Sequence, residues 1–176
     1  MADIQAFETR PFKTMYPGYF QTAYVTTDLD RAVEQLSQVH GIRHWYTNRR
    51  FEYAVTASKT ATIGLALAYV GDTQIEIIEP IAGECAFYRT ALTGRPDFQL
   101  RFHHLCQAFD TAEQYQARFA ELEREGVNLP VQITLDMNNG LSLACYADFR
   151  HRGGHFMEYV WFSELGRSWM DAVPRN

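Results

Sequence analysis

The stretch YFQTAYVTTDLDRAVEQLSQVHG, residues 19–41, decides how the chain folds. Its first seven residues are rich in aromatic and β-branched side chains, which suit a pleated, half-buried strand. Thr26, Thr27 and Asp28 then offer side-chain oxygens for the free amides of a helix start. Leu29, Ala32, Val33, Leu36 and Val39 recur at three- and four-residue steps, so the spacing predicts an amphipathic helix that runs to about His40 and lies on a sheet. Gly41 stands where a left-handed residue closes such a helix.

Three strand-like runs follow, at residues 42–47, 60–70 and 73–79, the last two joined by Gly71-Asp72, a hairpin pair. Residues 81–99 read as a linker with a short helical piece around 85–92, closed by Gly94 and Pro96. The order then begins again: a strand at 100–109, a helix at 111–125 capped by Asp110 and stopped by Gly126, strands at 131–136, 141–147 and 155–162, and a short terminal helix at 163–173. The expected organisation is an N-terminal extension (1–18), a βαβββ module (19–80), a linker (81–99), a second βαβββ module (100–162) and a C-terminal segment (163–176). The fold class is α+β, with one cup-shaped mixed sheet.

Composition narrows the function. With 47% hydrophobic and 21% charged residues, a chain of 176 residues can bury a full core. A net charge of −5 argues against broad binding to nucleic acid or an anionic membrane, which needs clustered Lys and Arg. The first twenty or so residues lack an apolar run behind a basic start, and no run of about eighteen apolar residues follows, so a cytoplasmic protein is expected. Cys85, Cys106 and Cys145 are widely spaced and read as reduced, buried thiols.

Superposing the two units turns the outline into chemistry. Gln21 and His104, in the first strand of each unit, are 83 residues apart, and Glu76 and Glu158, in the last strand of each, are 82 apart. Two copies related by an approximate twofold axis would bring all four side chains to one point. Strand alternation puts Gln21 with Ala23 and Val25, Glu76 with Ile78, His104 with Phe102 and Cys106, and Glu158 with Phe156 and Val160, so each polar group sits on an apolar face. His103 falls on the face opposite His104 and reads as structural. A desolvated carboxylate costs several kcal/mol and needs a partner; a cation is one solution.

At these residues the chain resembles the vicinal oxygen chelate superfamily of glyoxalases, bleomycin-resistance proteins and extradiol dioxygenases. The carrying pieces are FQTAYVTTDLDRAV, TQIEIIEP, FHHLCQAFD and GGHFMEYVW. The resemblance implies one divalent metal per chain (Zn, Ni, Co, Mn or Mg) on Gln21, Glu76, His104 and Glu158, a set seen in one subclass of glyoxalase I. It also implies a homodimer, with the Trp169 segment as an anchor. The paired His103-His104 and IEIIEP look like methylmalonyl-CoA epimerase, but that family carries a catalytic Glu in its third strand, where Thr62-Ile63-Gly64-Leu65-Ala66 has none. An extradiol dioxygenase would want His at position 21 and no carboxylate at 76.

Two functions are therefore expected as alternatives. One is a metal-dependent lyase or isomerase that moves a proton next to a carbonyl, with Glu158 or Glu76 as the catalytic carboxylate, on a small, largely apolar substrate. The other is a non-catalytic small-molecule binding protein of the bleomycin-resistance type. Arg49-Arg50 reads as a solvated loop or the mouth for an anion, Arg150, His151, Arg152 and His155 as a polar hairpin or a basic rim. Trp45, Tyr46, Phe51 and Tyr53 are either packing aromatics or a substrate wall.

Overall fold

A computed structural model of the chain describes residues 18–56 and 58–176, so the extension expected at 1–18 lies, Gly18 apart, outside the described residues. The first half runs β1 (Tyr19–Thr26), α1 (Leu29–His40), β2 (Tyr46–Thr56), β3 (Lys59–Val70) and β4 (Thr73–Gly83), followed by the short α2 (Ala86–Arg89). The second half runs β5 (Leu100–Ala108), α3 (Ala112–Arg124), β6 (Val131–Ile133), β7 (Ser142–Asp148), α4 (Arg150–Gly153), β8 (Phe156–Phe162) and α5 (Glu164–Asp171). All eight strands form one sheet in the order β2-β3-β4-β1-β5-β8-β7-β6. β1 is parallel to β4 and β5 to β8, while β1 and β5 pair antiparallel and so join the halves. The outermost strands β2 and β6 come back against each other, and the sheet curls into a nearly closed cup.

Local chemistry explains the helices. Asp28 accepts a hydrogen bond from the Arg31 amide at 3.0 Å, and Gly41, at φ 70°, takes the left-handed C-terminal position. Leu29, Ala32 and Leu36 then pack α1 onto Ala66, Ala68, Ile75 and Ile77 outside the cup. In the second half the cap is Thr111 rather than the expected Asp110. Gln114 reaches back to the Thr111 amide and closes a capping box, which an Asp at 110 cannot do. Tyr115 and Leu122 hold α3 against Cys145, Ala147 and Tyr159. Among the described residues no helix is long and apolar enough to cross a membrane.

β2 departs most from its sequence reading. A strand expected at 42–47 instead spans Tyr46–Thr56, and Ile42 packs in the helix-side core. As an outermost strand β2 turns Arg49, Arg50 and Glu52 toward solvent, and a register irregularity between Asn48 and Phe51 breaks its alternation. Both features hide a strand from a periodicity argument. β6 is likewise shorter than expected, giving way to a 3-10 turn at Asp136–Asn138.

The C-terminal segment ties the halves together. Trp169 of α5 meets Tyr46 edge-on at 5.3 Å, Val173 is buried, and the Pro174 carbonyl accepts from the Tyr69 amide at 2.8 Å. Asn176 Oδ1 accepts from the Arg43 and His44 amides at 2.8 and 3.0 Å. Trp169, expected to anchor a second copy, packs within its own chain. α5 can sit this close only because residue 166 is glycine, since a Cβ there would collide with the Leu141 carbonyl. Gly166→Ala should therefore cost about 1–3 kcal/mol in urea unfolding. Gly94→Ala, with nothing within 4 Å of the added carbon, should be near neutral. Equal midpoints for the two variants would show that α5 yields freely.

Candidate functional site

The four residues singled out from the sequence lie on the four central strands: Gln21 on β1, Glu76 on β4, His104 on β5 and Glu158 on β8. Registers converge them. Glu76 sits beside Ala23, two residues beyond Gln21, and Glu158 beside Cys106, two residues beyond His104. The β1–β5 ladder sets Gln21 opposite Cys106 and Ala23 opposite His104, so the same arrangement recurs about a twofold axis between these strands. His104 Nε2 lies 3.3 Å from Glu76 Oε2 and 3.3 Å from Glu158 Oε2. Gln21 Nε2 donates to Gln74 Oε1 at 2.7 Å. Gln21 Oε1, Glu76 Oε2 and His104 Nε2 are buried without hydrogen-bond partners, so the two 3.3 Å contacts are ion-pair contacts lacking hydrogen-bond alignment. With Gln74 Nε2 and His103 Nε2, five buried polar atoms from both halves lack hydrogen-bond partners at this one centre, an arrangement a protein rarely carries without a functional reason.

The neighbour of His104 is placed differently from expectation. Between Ala23 and Tyr24 the β1–β5 register slips by one residue, with Ala23 opposite His104 and Tyr24 opposite Phe102. This bulge turns His103 inward beside His104, although strict alternation assigns it to the other face. The Nδ1 atoms of the two rings are 2.8 Å apart, and His103 is packed by Phe87, Tyr88 and Phe156 at 4.7, 5.4 and 5.0 Å. Phe102 is displaced outward in exchange. It is 43% exposed and packs on Tyr24 and His155.

Gln21, Glu76 and Glu158 line a cavity of about 170 Å³. Of the floor expected from alternation (Ala23, Val25, Ile78, Phe102, Cys106, Phe156, Val160), only Cys106 and Val160 reach it. Val25 and Ile78 are consumed by the packed core, and Phe87 covers Phe156 at 4.5 Å. The wall comes instead from Phe51 and Tyr53 of β2, Ile63 and Leu65 of β3, Tyr88 of α2 and Trp169 of α5. Phe51 and Tyr53 thus form a cavity wall, whereas the Trp45 indole donates to Ser37 at 2.9 Å away from it. Gln74 and Tyr88 were missed. Gln74 had a signal, being two residues before Glu76 on the same strand face; Tyr88 had none, because only the folded linker carries it in, where its hydroxyl accepts from Tyr53 at 2.9 Å. Arg49 pairs with Asp30, and Arg150 pairs with Asp148 at 2.7 Å, so both cations are engaged by neighbouring carboxylates.

Electrostatics follow from burial. Burial raises the Glu76 carboxyl above its ordinary range, against the pull of His104. Burial alone would lower His104, but the carboxylates of Glu158 and Glu76 outweigh it and bring the imidazole to about 9. His103 goes the other way, to about 2, through burial and then the charge on His104. Linkage gives the sign. A group raised on folding contributes stability that is present below its unfolded pKa, about 6.5 for His, and lost as pH rises through the folded value. Metal-free protein should therefore lose stability in urea between about pH 7 and 9, and His104→Gln should abolish that loss. A flat profile in the parent would show that His104 holds no proton between the carboxylates.

Comparison with known proteins agrees with this architecture. A family profile described as Glyoxalase/Bleomycin resistance protein/Dioxygenase superfamily matches residues 20–140, well over half of the chain. No curated protein matches it in sequence. Among solved structures, a glutamate-to-glutamine variant of Streptomyces coelicolor methylmalonyl-CoA epimerase in complex with 2-nitronate-propionyl-CoA is similar, with a TM-score of 0.54 at 15% identity over 84% of this chain and 98% of that one. A methylmalonyl-CoA epimerase in complex with methylmalonyl-CoA and NH4+ gives 0.53 at 14% identity over 85% and 96%. The epimerase from Mycobacterium tuberculosis gives 0.50 at 16% over 86% and 91%. At these identities the structures share the fold, and the profile carries the assignment: with its two βαβββ halves and one cup-shaped sheet, this chain belongs to the glyoxalase/bleomycin resistance protein/dioxygenase superfamily.

Proposed function

We propose that the chain is a metal-dependent lyase or isomerase that moves a proton next to a carbonyl on a small, largely apolar substrate. The observation that carries this reading is the grouping of buried atoms without hydrogen-bond partners, Gln21 Oε1, Glu76 Oε2 and His104 Nε2, from both halves, with Gln21, Glu76 and Glu158 lining a cavity and His104 held 3.3 Å from both carboxylates. One amide, one imidazole and two carboxylates suit a five- or six-coordinate divalent ion such as Zn, Ni, Co, Mn or Mg. No three His, Cys, Asp or Glu side chains among the described residues make a metal cluster by themselves. The reading therefore needs Glu76, His104 and Glu158 to rearrange around the ion with the Gln21 amide as fourth donor, and it needs the proton on His104 Nε2, which the two carboxylates now hold, to leave. When bound, the ion would supply Lewis-acid polarisation of a substrate carbonyl and stabilise the charge that develops on its oxygen.

The chain's own residues would do the rest. The apolar wall of Phe51, Ile63, Leu65 and Trp169 would hold a hydrophobic substrate body and keep water out. Gln74 Nε2, buried and unpaired at the cavity, would donate to a substrate oxygen. From β3, Ile63, Leu65 and Leu67 face the cavity and bring no carboxylate, so the base has to be Glu158 or Glu76. We assign it to Glu158, the residue that matches the base in the glyoxalase I resemblance. The epimerases share the fold, but methylmalonyl-CoA is a less suitable substrate for a site without a third-strand Glu. The same apolar wall would also serve a binding protein of the bleomycin-resistance type. The carboxylate pair favours the enzyme, because burying two acids harms a site that needs only apolar contact.

Protein purified without chelator, loaded with Zn, Ni or Mn and desalted, should retain about one ion per chain. Retention of none removes all four ligands together. Glu158→Gln should keep most of the metal. On a panel of apolar α-hydroxycarbonyls and acyl thioesters, methylmalonyl-CoA included, its solvent-deuterium exchange should fall about 10²-fold or more. Undiminished exchange on a compound the parent turns over would place the base elsewhere. We further propose a cytoplasmic homodimer, for which sedimentation at micromolar concentration is the direct check.

A further inference from the structure

Gln21 and His104, the two members of the candidate ligand set that are not carboxylates, each have a buried polar neighbour outside that set. Gln21 donates to Gln74 at 2.7 Å, and His104 faces His103 across 2.8 Å. Neither partner has solvent to fall back on, Gln74 being 0% and His103 2% exposed. In each pair the contact decides which atom of the ligand side chain is presented. An amide has one oxygen and one nitrogen end, so while Gln21 Nε2 is engaged by Gln74 Oε1, Oε1 is the end left free, and that oxygen is indeed without a partner. An imidazole obeys the same logic. A short Nδ1···Nδ1 contact requires one proton between the two nitrogens. If His104 supplies it, His104 Nε2 can present a lone pair; if His103 supplies it, neutral His104 must carry its proton on Nε2 and cannot bind a cation there.

We propose that Gln74 and His103 are positioning residues of the metal centre, each accepting one hydrogen bond from a ligand side chain and thereby fixing Gln21 Oε1 and His104 Nε2 as the donor atoms. The proposal rests on the metal reading above and extends it. Both partners are supplied by local backbone features rather than by the ligand pattern itself. Gln74 reaches Gln21 because the parallel β1–β4 register sets the two residues side by side, and His103 reaches His104 because the bulge in β5 turns adjacent side chains to one interior. The two halves thus solve the same problem by different routes, a cross-strand neighbour in one and a bulge in the other.

Cobalt titration of chelator-treated protein, followed by its visible absorption, separates the possibilities. Gln74→Leu and His103→Phe remove the acceptor, and each should weaken Co(II) binding about 10- to 100-fold, as loss of an outer partner of a ligand does. Gln74→Glu and His103→Asn retain an acceptor oxygen at the corresponding place and should restore affinity to within a few-fold of the parent. The rescue distinguishes positioning from a general packing defect. Nitrogen-15 NMR of the parent loaded with zinc gives a readout free of mutagenesis: His104 should carry its proton on Nδ1, and a proton on its Nε2 would overturn the proposal. If the parent binds no cobalt, the metal reading itself is lost. If the parent binds and Gln74→Leu and His103→Phe bind equally well, only the positioning role is lost.

Discussion

The antiparallel pairing of β1 with β5 is the contact on which the rest of the molecule depends. Each half alone is a four-stranded sheet with a helix on one face, and its other face would leave a carboxylate among apolar side chains. Joining the halves through their first strands makes one sheet of eight and turns both of those faces toward a common interior. The twofold relation then needs no further device. Gln21 and His104 come opposite each other's neighbours, and the two glutamates are brought in from the parallel partners β4 and β8.

Burial and charge oppose each other at this centre. Desolvation disfavours every ionised group there, raising Glu76 and acting to lower both histidines. His104 escapes because two carboxylates stand at 3.3 Å on one nitrogen, and His103, which lacks them, does not. Two adjacent imidazoles of one strand thereby take opposite protonation behaviour. The same geometry explains why the interior can be largely aromatic: the polar groups are gathered at one place, Phe51, Phe87 and Trp169 fill the space around it, and Phe156 packs on Phe87 and His103.

Enclosure of the cavity is a separate matter from its floor. β2, α2 and α5 add Phe51, Tyr53, Tyr88, Trp169 and Met170 to the wall, and none of these elements belongs to the central four strands. α5 lies across from β2 because Gly166 lets it approach the Leu141 carbonyl, and the last residues are then hydrogen-bonded to Tyr69 and to the backbone at Arg43 and His44. The polar centre thus sits on the central strands, while the peripheral elements help to close the space in front of it.

What the sequence determined by itself was the repeated βαβββ order and the equivalent places that Gln21, Glu76, His104 and Glu158 hold in its two copies, because both rest on periodicities that a strand or helix imposes locally; the β1–β5 pairing then brought the four together. The capped start of α1, its Gly41 stop and the Gly71-Asp72 hairpin are of the same kind. Only the tertiary structure decided the inward turn of His103, the outward displacement of Phe102, the length of β2 and the contribution of Tyr88. A bulge is invisible to alternation because alternation stops there, and where in β5 the extra residue falls is fixed by the register with β1. An edge strand carries charges that read as loop until a neighbour pairs with it. A linker side chain reaches a cavity only once two distant halves have made one.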